Sequence, residues 1–387
     1  MPTYLDYAAT TPVDKSVLDR MLPYLRDDFG NPSSVHNWGQ RAEWAVEEAR
    51  DLIADGLGSK SEEVIFTSGG SESDNLALRG AAFGAWEARG ANHILTSPVE
   101  HDAVIKTAQV LARKHGFELE LLAVDEAGKV DPDDLRNRIR PDTAVVSVIY
   151  GNNEIGTINP IPDLAAIARE RNVAFHTDAL QATCQLPTQI DELGVDLLSI
   201  GAHKFYGPKG VGALYVRAGT SMRAVQTGGS QERGLRAGTQ NVPLIVGMAY
   251  AHRLAQKRYA QDGEHFGLLR DHVIESILRR ISNVRLTGHR TDRLPNNASF
   301  VFQGVDGNSM LAALDLAGFA CSSGSACKTG VPEPSAVLVA LGVDSELALG
   351  SLRVSVGRQT TRDEIDHFLD VLQEIVIELR TPIAATT

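Results

Sequence analysis

Apolar positions recur along this chain in two rhythms. From about residue 60, short apolar runs appear at Glu63–Thr67, His93–Thr96, Glu118–Ala123, Ala144–Ile149, Val173–Thr177, Asp196–Ile200 and Val211–Val216. Each is strand-like in length and composition. Most are separated by stretches with helical spacing of apolar residues, such as Asp102–His115 and Asp163–Arg171. Strand and helix in alternation predict a mostly parallel sheet of seven strands wrapped by helices, an α/β fold.

The rhythm breaks at a long helical stretch from about Val242 to Arg280. Beyond it lie two strand-like runs, Ala298–Phe302 and Leu352–Val356, and helical stretches at Ser309–Gly318 and Arg362–Leu379. This predicts a second, smaller α+β domain. We place the large domain at 15–255 and the small one at 1–14 with 256–387, although no Pro/Gly linker marks the division.

Composition narrows the classes. The chain has 387 residues and a net charge of −12, with no Lys/Arg run, so nucleic acid is not an expected partner. No apolar stretch approaches the ~20 residues of a membrane span, and the first residues have neither the basic flank nor the apolar run of a signal peptide. Three cysteines, Cys184, Cys321 and Cys327, are too few for a disulfide framework. A cytoplasmic location is expected, which makes the glycosylation triplet at Asn297-Ala298-Ser299 irrelevant. Lysine is scarce, nine of the 37 basic residues, so a reactive lysine has few candidates.

Polar clusters follow directly on the predicted strands: Ser68-Gly69-Gly70-Ser71, Glu100-His101, Gly151-Asn152-Asn153-Glu154, Asp178-Ala179-Leu180-Gln181 and Gly201-Ala202-His203-Lys204. In a parallel sheet these fall on one edge, where ligands gather. The first cluster opens a helix, and its glycines let backbone N–H groups approach an anion. A plain turn with a Ser cap explains it equally simply. It is not a P-loop, and no well-placed GxGxxG is present. Asp178 ends a buried run and needs a partner, for which a protonated heterocyclic nitrogen or a structural Arg would serve. Lys204 ends another strand beside anion-binding groups, where a lysine can lose its proton and form a Schiff base. A phosphate cradle, a lysine and a carboxylate together suggest pyridoxal phosphate, with His101 a candidate for the ring face.

Ser322-Ser323-Gly324-Ser325-Ala326-Cys327 surrounds a cysteine with small residues, next to Lys328. Such a stretch suits an exposed thiolate better than a buried thiol. Arg353 and Arg358 flank a short strand-like run, and either fits an amino-acid carboxylate or an internal salt bridge.

These residues resemble the cysteine desulfurase family, enzymes of the class V aminotransferase fold that serve iron–sulfur cluster assembly. The likeness rests on Tyr4–Pro12 (YLDYAATTP), Phe29–Ser34 (FGNPSS), Asn152–Gly156 (NNEIG), His203-Lys204, Gly228-Gly229 through Arg236–Thr239, and Ser322–Cys327 (SSGSAC), and runs over nearly the whole chain. It implies the fold type I architecture of pyridoxal-phosphate-dependent transferases. It also implies that Lys204 anchors the cofactor, Asp178 pairs with its ring nitrogen, Gln181 bonds its ring oxygen and His101 stacks on the ring. Gly70, Ser71, Gly201 and His203 would line the phosphate, and Thr239 would reach the phosphate of the other subunit of a homodimer. Asn152 and Arg353 would hold the substrate carboxylate, and Cys327 would accept sulfur.

Three departures from the family pattern stand out. Gly201 replaces a common phosphate-binding Ser, for which Ser199 could compensate if its strand runs on. Ser71 replaces Thr. The sequence ends soon after its last helical stretch, short of the tail on which housekeeping relatives dock a scaffold protein, so the acceptor stays unnamed. The resemblance implies conversion of L-cysteine to L-alanine, with a persulfide on Cys327 as sulfur donor. Selenocysteine lyase on the same fold, or a non-catalytic partner, are the alternatives. No metal set is expected, apart from transient contact of Cys327 with an iron–sulfur cluster. Cys184 is read as structural and Cys321 as packing at the base of its loop.

Overall fold

A computed structural model describes residues 2–323 and 333–381. Its centre is a seven-stranded sheet: β1 (Val64–Thr67), β2 (His93–Thr96), β3 (Glu118–Leu121), β4 (Thr143–Ser147), β5 (Ala174–Asp178), β6 (Leu197–Gly201) and β7 (Gly212–Val216), in the order β1-β7-β6-β5-β4-β2-β3. Neighbours among β2 to β6 run parallel; β7 is antiparallel to both β6 and β1. Strand β1 therefore points the same way as β2 to β6, and the loops after these strands share one edge. The strands β1, β2, β4, β6 and most of β5 are buried on both faces, which explains why they read as mostly apolar runs rather than alternating ones. Edge strand β3 is largely exposed and alternates charged with apolar residues.

Helices cover both faces. Of those used below, α1 spans Lys15–Arg26, α2 Asn37–Leu57, α3 Gly70–Arg89 and α4 Asp102–His115. The 39-residue α5 (Val242–Arg280) is the long helical stretch read from the sequence. Its first half packs into a core built from residues 17–255, and its second half into another that joins Leu5 to residues 266–376. The second core sits on a three-stranded antiparallel sheet of β8 (Val284–Leu286), β9 (Asn297–Phe302) and β10 (Ser351–Ser355), order β10-β9-β8, covered by α6 (Arg362–Arg380). Strand β8 was not anticipated; its three residues are too few to make a pattern. The N-terminal strand Thr3–Tyr4 pairs with Phe319–Ala320, and the chain then crosses to the large sheet's loop edge. Among the described residues, no helix is long and apolar enough to cross a membrane.

Candidate active site

The shared edge of the large sheet opens into a cavity of about 440 Å³, walled on its other side by Arg353 of β10. His101, Asp178, Gln181, Lys204 and Arg353 line it, together with Ala8, Ala9, Asn153, Glu154, Leu180 and Ser322. Five of the residues singled out from the sequence thus meet in one place, brought there by three parallel strands and one strand of the small sheet.

Lys204 closes a single 3-10 turn, Ala202–Lys204, directly after β6. Its Nζ donates to the carbonyl oxygens of Ala8 (2.7 Å) and Ala9 (2.8 Å). Burial, with Arg353 adding positive charge, lowers its pKa to about 8, against the opposing pull of Asp178 and Asp6. Two residues on, Tyr206 has a left-handed backbone (φ 65°) that a bulky residue adopts only under constraint. The constraint comes from Arg358, which follows β10: Tyr206 Oη accepts the Arg358 N–H at 2.8 Å, and the Arg358 guanidinium lies 4.0 Å from the ring centre. Arg358 also pairs with Asp262 at 2.7 Å, both side chains buried, an internal salt bridge away from the cavity.

Asp178 ends β5 and is buried, with Oδ1 accepting the Leu180 N–H at 2.9 Å. Burial raises its pKa, while His101 and Lys204 nearby act to lower it. Gln181 Nε2 donates to the Ala8 carbonyl at 2.7 Å. His101 caps α4, its Nδ1 accepting the Ala103 N–H at 3.1 Å, while its ring faces the cavity. Glu154, in the same wall, is partly buried and accepts from Ser335 Oγ at 2.5 Å; burial raises its pKa to about 6.

Arg353 reaches the cavity from β10. Its Nη1 donates to the Asn153 carbonyl (2.9 Å), its Nη2 pairs with Asp6 Oδ1 (2.7 Å), and its buried Nε has no hydrogen-bond partner among the described residues. Asn152, expected beside it as a substrate ligand, is turned away. Its side chain is wholly buried, Nδ2 donating to Val99 O (2.7 Å) and Oδ1 accepting the N–H groups of Glu154 and Ile155 (2.8 and 2.9 Å). It shapes the loop; its neighbour Asn153 is the asparagine on the cavity.

The expected phosphate cradle lies at the N-terminus of α3. A Cβ at Gly70 would stand 2.0 Å from Leu180 Cδ2, so only glycine lets the helix start so close to the β5 loop. Ser71 is exposed on the first turn. Gly201 lies beside Gly70, in extended backbone (φ −141°). Ser199 does not stand in for a hydroxyl there. Strand β6 does run on, but Ser199 Oγ is committed to His176 Nε2 at 3.0 Å inside the buried layer. His203 Nδ1 meets Thr10 Oγ1 at 3.2 Å, and burial lowers its pKa to about 4. Thr239 is exposed and lines no part of this chain's own cavity. Cys327 lies outside the described residues. Cys184 and Cys321 are partly buried, which pushes the pKa of both thiols up, and Cys321 packs against the core that joins Leu5 to residues 266–376.

The residues missed from the sequence come mostly from the segment Ala8–Thr11. It supplies the carbonyls under Lys204 and Gln181, and Thr11 bonds the His203 carbonyl through N and Oγ1. The YLDYAATTP motif was the available signal, but it carries no reactive side chain to which a role attaches.

This donor set fits pyridoxal phosphate: an amine of lowered pKa, a buried carboxylate facing the same cavity, an imidazole at the rim, and a glycine-opened helix N-terminus for a phosphate. The chain matches the aminotransferase class-V family model over residues 3–368. It is 52% identical over 378 residues to the cysteine desulfurase IscS of Dictyoglomus turgidum, covering 98% of this chain and 95% of that one. It is 47% identical to the cysteine desulfurase IscS of Methanosarcina thermophila, covering 97% and 92%. A solved NifS-like protein superposes with a TM-score of 0.91 at 36% identity, covering 98% of this chain and all of that one. The chain belongs to the class-V aminotransferases, which are pyridoxal-phosphate-dependent. Within them it falls in the cysteine desulfurase family.

Proposed function

We infer that this chain is a cysteine desulfurase that converts L-cysteine to L-alanine and hands the sulfur to an acceptor protein. The observation that carries this reading is the convergence of Lys204 and Arg353 on one cavity. An amine able to move a proton and a guanidinium able to hold a carboxylate are what an α-amino acid substrate requires. Bound pyridoxal phosphate supplies an electron sink next to the substrate Cα. Gly70, Ser71, Gly201 and His203 would hold its phosphate, Gln181 its ring oxygen, and Asp178 its ring nitrogen.

Arg353 orients the substrate carboxylate. Lys204, neutral above about pH 8, takes the Cα proton. The Cys327 thiolate then attacks the substrate sulfur: the S–S bond forms as the Cβ–S bond breaks, and the electron pair of that bond stays with carbon. Carbon gains protons and leaves as alanine, and Cys327 keeps the sulfur as a persulfide. The reaction balances without an external oxidant. His101, which lines the cavity, would carry a thiol proton.

The reading extends to a homodimer. Leu18, Leu22 and Leu25 on α1 and Trp38 and Trp44 on α2 are exposed, as are Phe29 and Val35 between them, large apolar side chains that a second copy would cover. Thr239 would serve the partner's phosphate. It also places the protein in the cytoplasm, divides the chain at residue 255 as the two cores suggest, and sends the sulfur to iron–sulfur clusters or another sulfur-containing cofactor.

Alanine and sulfide release from L-cysteine test it. Wild type is expected to yield both, and Cys327→Ala to lose both while retaining the cofactor's visible absorbance. Full turnover by Cys327→Ala would remove the persulfide step.

A further inference from the structure

A row of polar side chains runs beneath the site, inside the layer between the large sheet and α3. Ser147, His176 and Ser199 lie on three adjacent strands, with His176 bonded through Nδ1 to Ser147 Oγ (2.8 Å) and through Nε2 to Ser199 Oγ (3.0 Å). All three are fully buried. From the helix side, Asp74 meets the row, Oδ1 standing 3.7 Å from His176 Nε2. Asp74 is also fully buried, and among the described residues neither carboxyl oxygen makes a well-formed hydrogen bond, although the Ser199 hydroxyl stands near enough to favour the charged form against the larger effect of burial. The surrounding layer is apolar, with Leu76, Ala77 and Leu78 of the same helix.

An ionised carboxylate without hydrogen bonds or a cation is the costliest group a protein can bury. His176 does not supply the cation: its ring is neutral, its pKa pushed down to about 3 by burial. The other charges facing Asp74 are negative, Asp178 from β5 and Glu100 from the loop after β2. Glu100 is itself pushed up to about 8 by burial. Lys204 and His101, the groups that favour a negative charge here, act on Asp178. Three buried carboxyls this close cannot all ionise, and the cationic side of the cluster selects Asp178.

We propose that Asp74 is a positioning residue that stays protonated and, with His176 and Ser199, keeps Asp178 the ionised carboxylate of the cluster. Were Asp74 to ionise, repulsion would move a proton onto Asp178 and remove the negative charge that retains the proton of the ring nitrogen. Ser199 is also the register partner of Asp178 across the β5–β6 pairing, which sets the row beside it. Asp74 lies one turn into the helix that begins with Gly70, so the same element that carries the expected cradle carries this proton.

The proposal rests on Asp178 as the ring-nitrogen partner, and two measurements separate its failure from the failure of that reading. In infrared difference spectra of the apoprotein near pH 7, wild type is expected to show a neutral carboxylic-acid C=O band that Asp74→Asn lacks. Loss of an ionised-carboxylate band instead overturns the proposal whatever Asp178 does. In the holoenzyme, the pH midpoint of the cofactor's visible absorbance and the cofactor dissociation constant are expected to be kept by Asp74→Asn. Asp74→Leu is expected to shift the midpoint by about one unit and weaken binding about tenfold. Equal shifts in the two variants, or none in Asp74→Leu, overturn it. If Asp74→Leu does not fold, His176→Phe is expected to move the midpoint likewise, and an unmoved midpoint overturns it.

Discussion

Lys204 and Gln181 donate to the same backbone oxygen. The Ala8 carbonyl accepts the lysine amine at 2.7 Å and the glutamine amide at 2.7 Å, and Ala9 takes a second bond from the amine at 2.8 Å. A segment near the N-terminus, distant in sequence from both residues, therefore holds the reactive amine against the cavity wall. Two carbonyls favour the charged form, which has more N–H groups to donate. Burial and Arg353 oppose it and prevail, bringing the pKa down to about 8.

That balance sets how the apoprotein takes up its cofactor, because only the neutral amine attacks an aldehyde. The lysine pKa is lowered, so the neutral form grows as pH rises through about 8. The rate at which the visible absorbance appears on adding pyridoxal phosphate is expected to rise about fivefold from pH 7 to pH 8 and to level off above about pH 9. A rate still climbing tenfold per unit there would mean an ordinary lysine. Lys204→Ala is expected to bind the cofactor without the absorbance of the covalent form.

Gly201→Ser probes the departure that distinguishes this chain's cradle. A Cβ there meets nothing nearer than Leu180 Cδ2 at 3.4 Å, and the backbone is extended, so serine enters without strain. Its hydroxyl would stand beside Gly70 N at the start of α3. A hydrogen bond to a charged group contributes about 1.5–3 kcal/mol. The variant should bind pyridoxal phosphate at least about tenfold more tightly by equilibrium dialysis. An unchanged dissociation constant would show that residue 201 does not face the phosphate.

Much of this site was legible because a parallel sheet turns strand ends into an address. Asp178 and Lys204 could be picked out by position alone, since each is polar where an apolar run stops. The asparagine pair was not resolved the same way. Asn152 and Asn153 are adjacent, identical in chemistry, and separated only by a backbone turn that sends one side chain inward and the other to the cavity. Asp6 was equally hidden, because its role depends on a pairing with Arg353 that no local pattern encodes. The Ser147–His176–Ser199 row was invisible for a different reason: each residue looks like a tolerated polar position in a strand, and only the register aligns them.

A second buried charge pair holds the segment that carries Thr239. Arg50 of α2 pairs with Glu232 through Nη1 (2.7 Å) and Nη2 (3.0 Å), with both side chains almost inaccessible. Glu232 also accepts from Phe66 N (2.8 Å) and Gln240 Nε2 (2.8 Å). This clamps a turn in which Glu232 and Arg233 both take left-handed backbone (φ 43° and 55°). Glu232→Ala would leave the buried guanidinium only the half-exposed Glu47 as counter-charge (3.1 Å), at a cost of about 1.5–3 kcal/mol. A lower urea midpoint should report it, with partial recovery when Arg50→Ala is added. No change in the midpoint would place the loop's order elsewhere.

Arg353 separates substrate recognition from chemistry. Its guanidinium already spends Nη2 on Asp6 and Nη1 on the Asn153 carbonyl, so it is fixed in plane before a substrate arrives. A fixed fork matches a carboxylate in geometry as well as charge, and the residual flexibility of a lysine does not. Arg353→Lys keeps the positive charge near Lys204 while removing the fork. The KM for L-cysteine is expected to rise at least about tenfold, since a bidentate ionic hydrogen bond is lost, with a smaller fall in kcat. Because the Arg353 charge helps to lower the Lys204 pKa, Arg353→Ala should in addition move the pH dependence of cofactor uptake upward, whereas Arg353→Lys should not. Initial rates of alanine formation over a cysteine series, read beside the uptake kinetics, check both effects. A KM within twofold of wild type in Arg353→Lys would assign the substrate carboxylate to another group in the cavity.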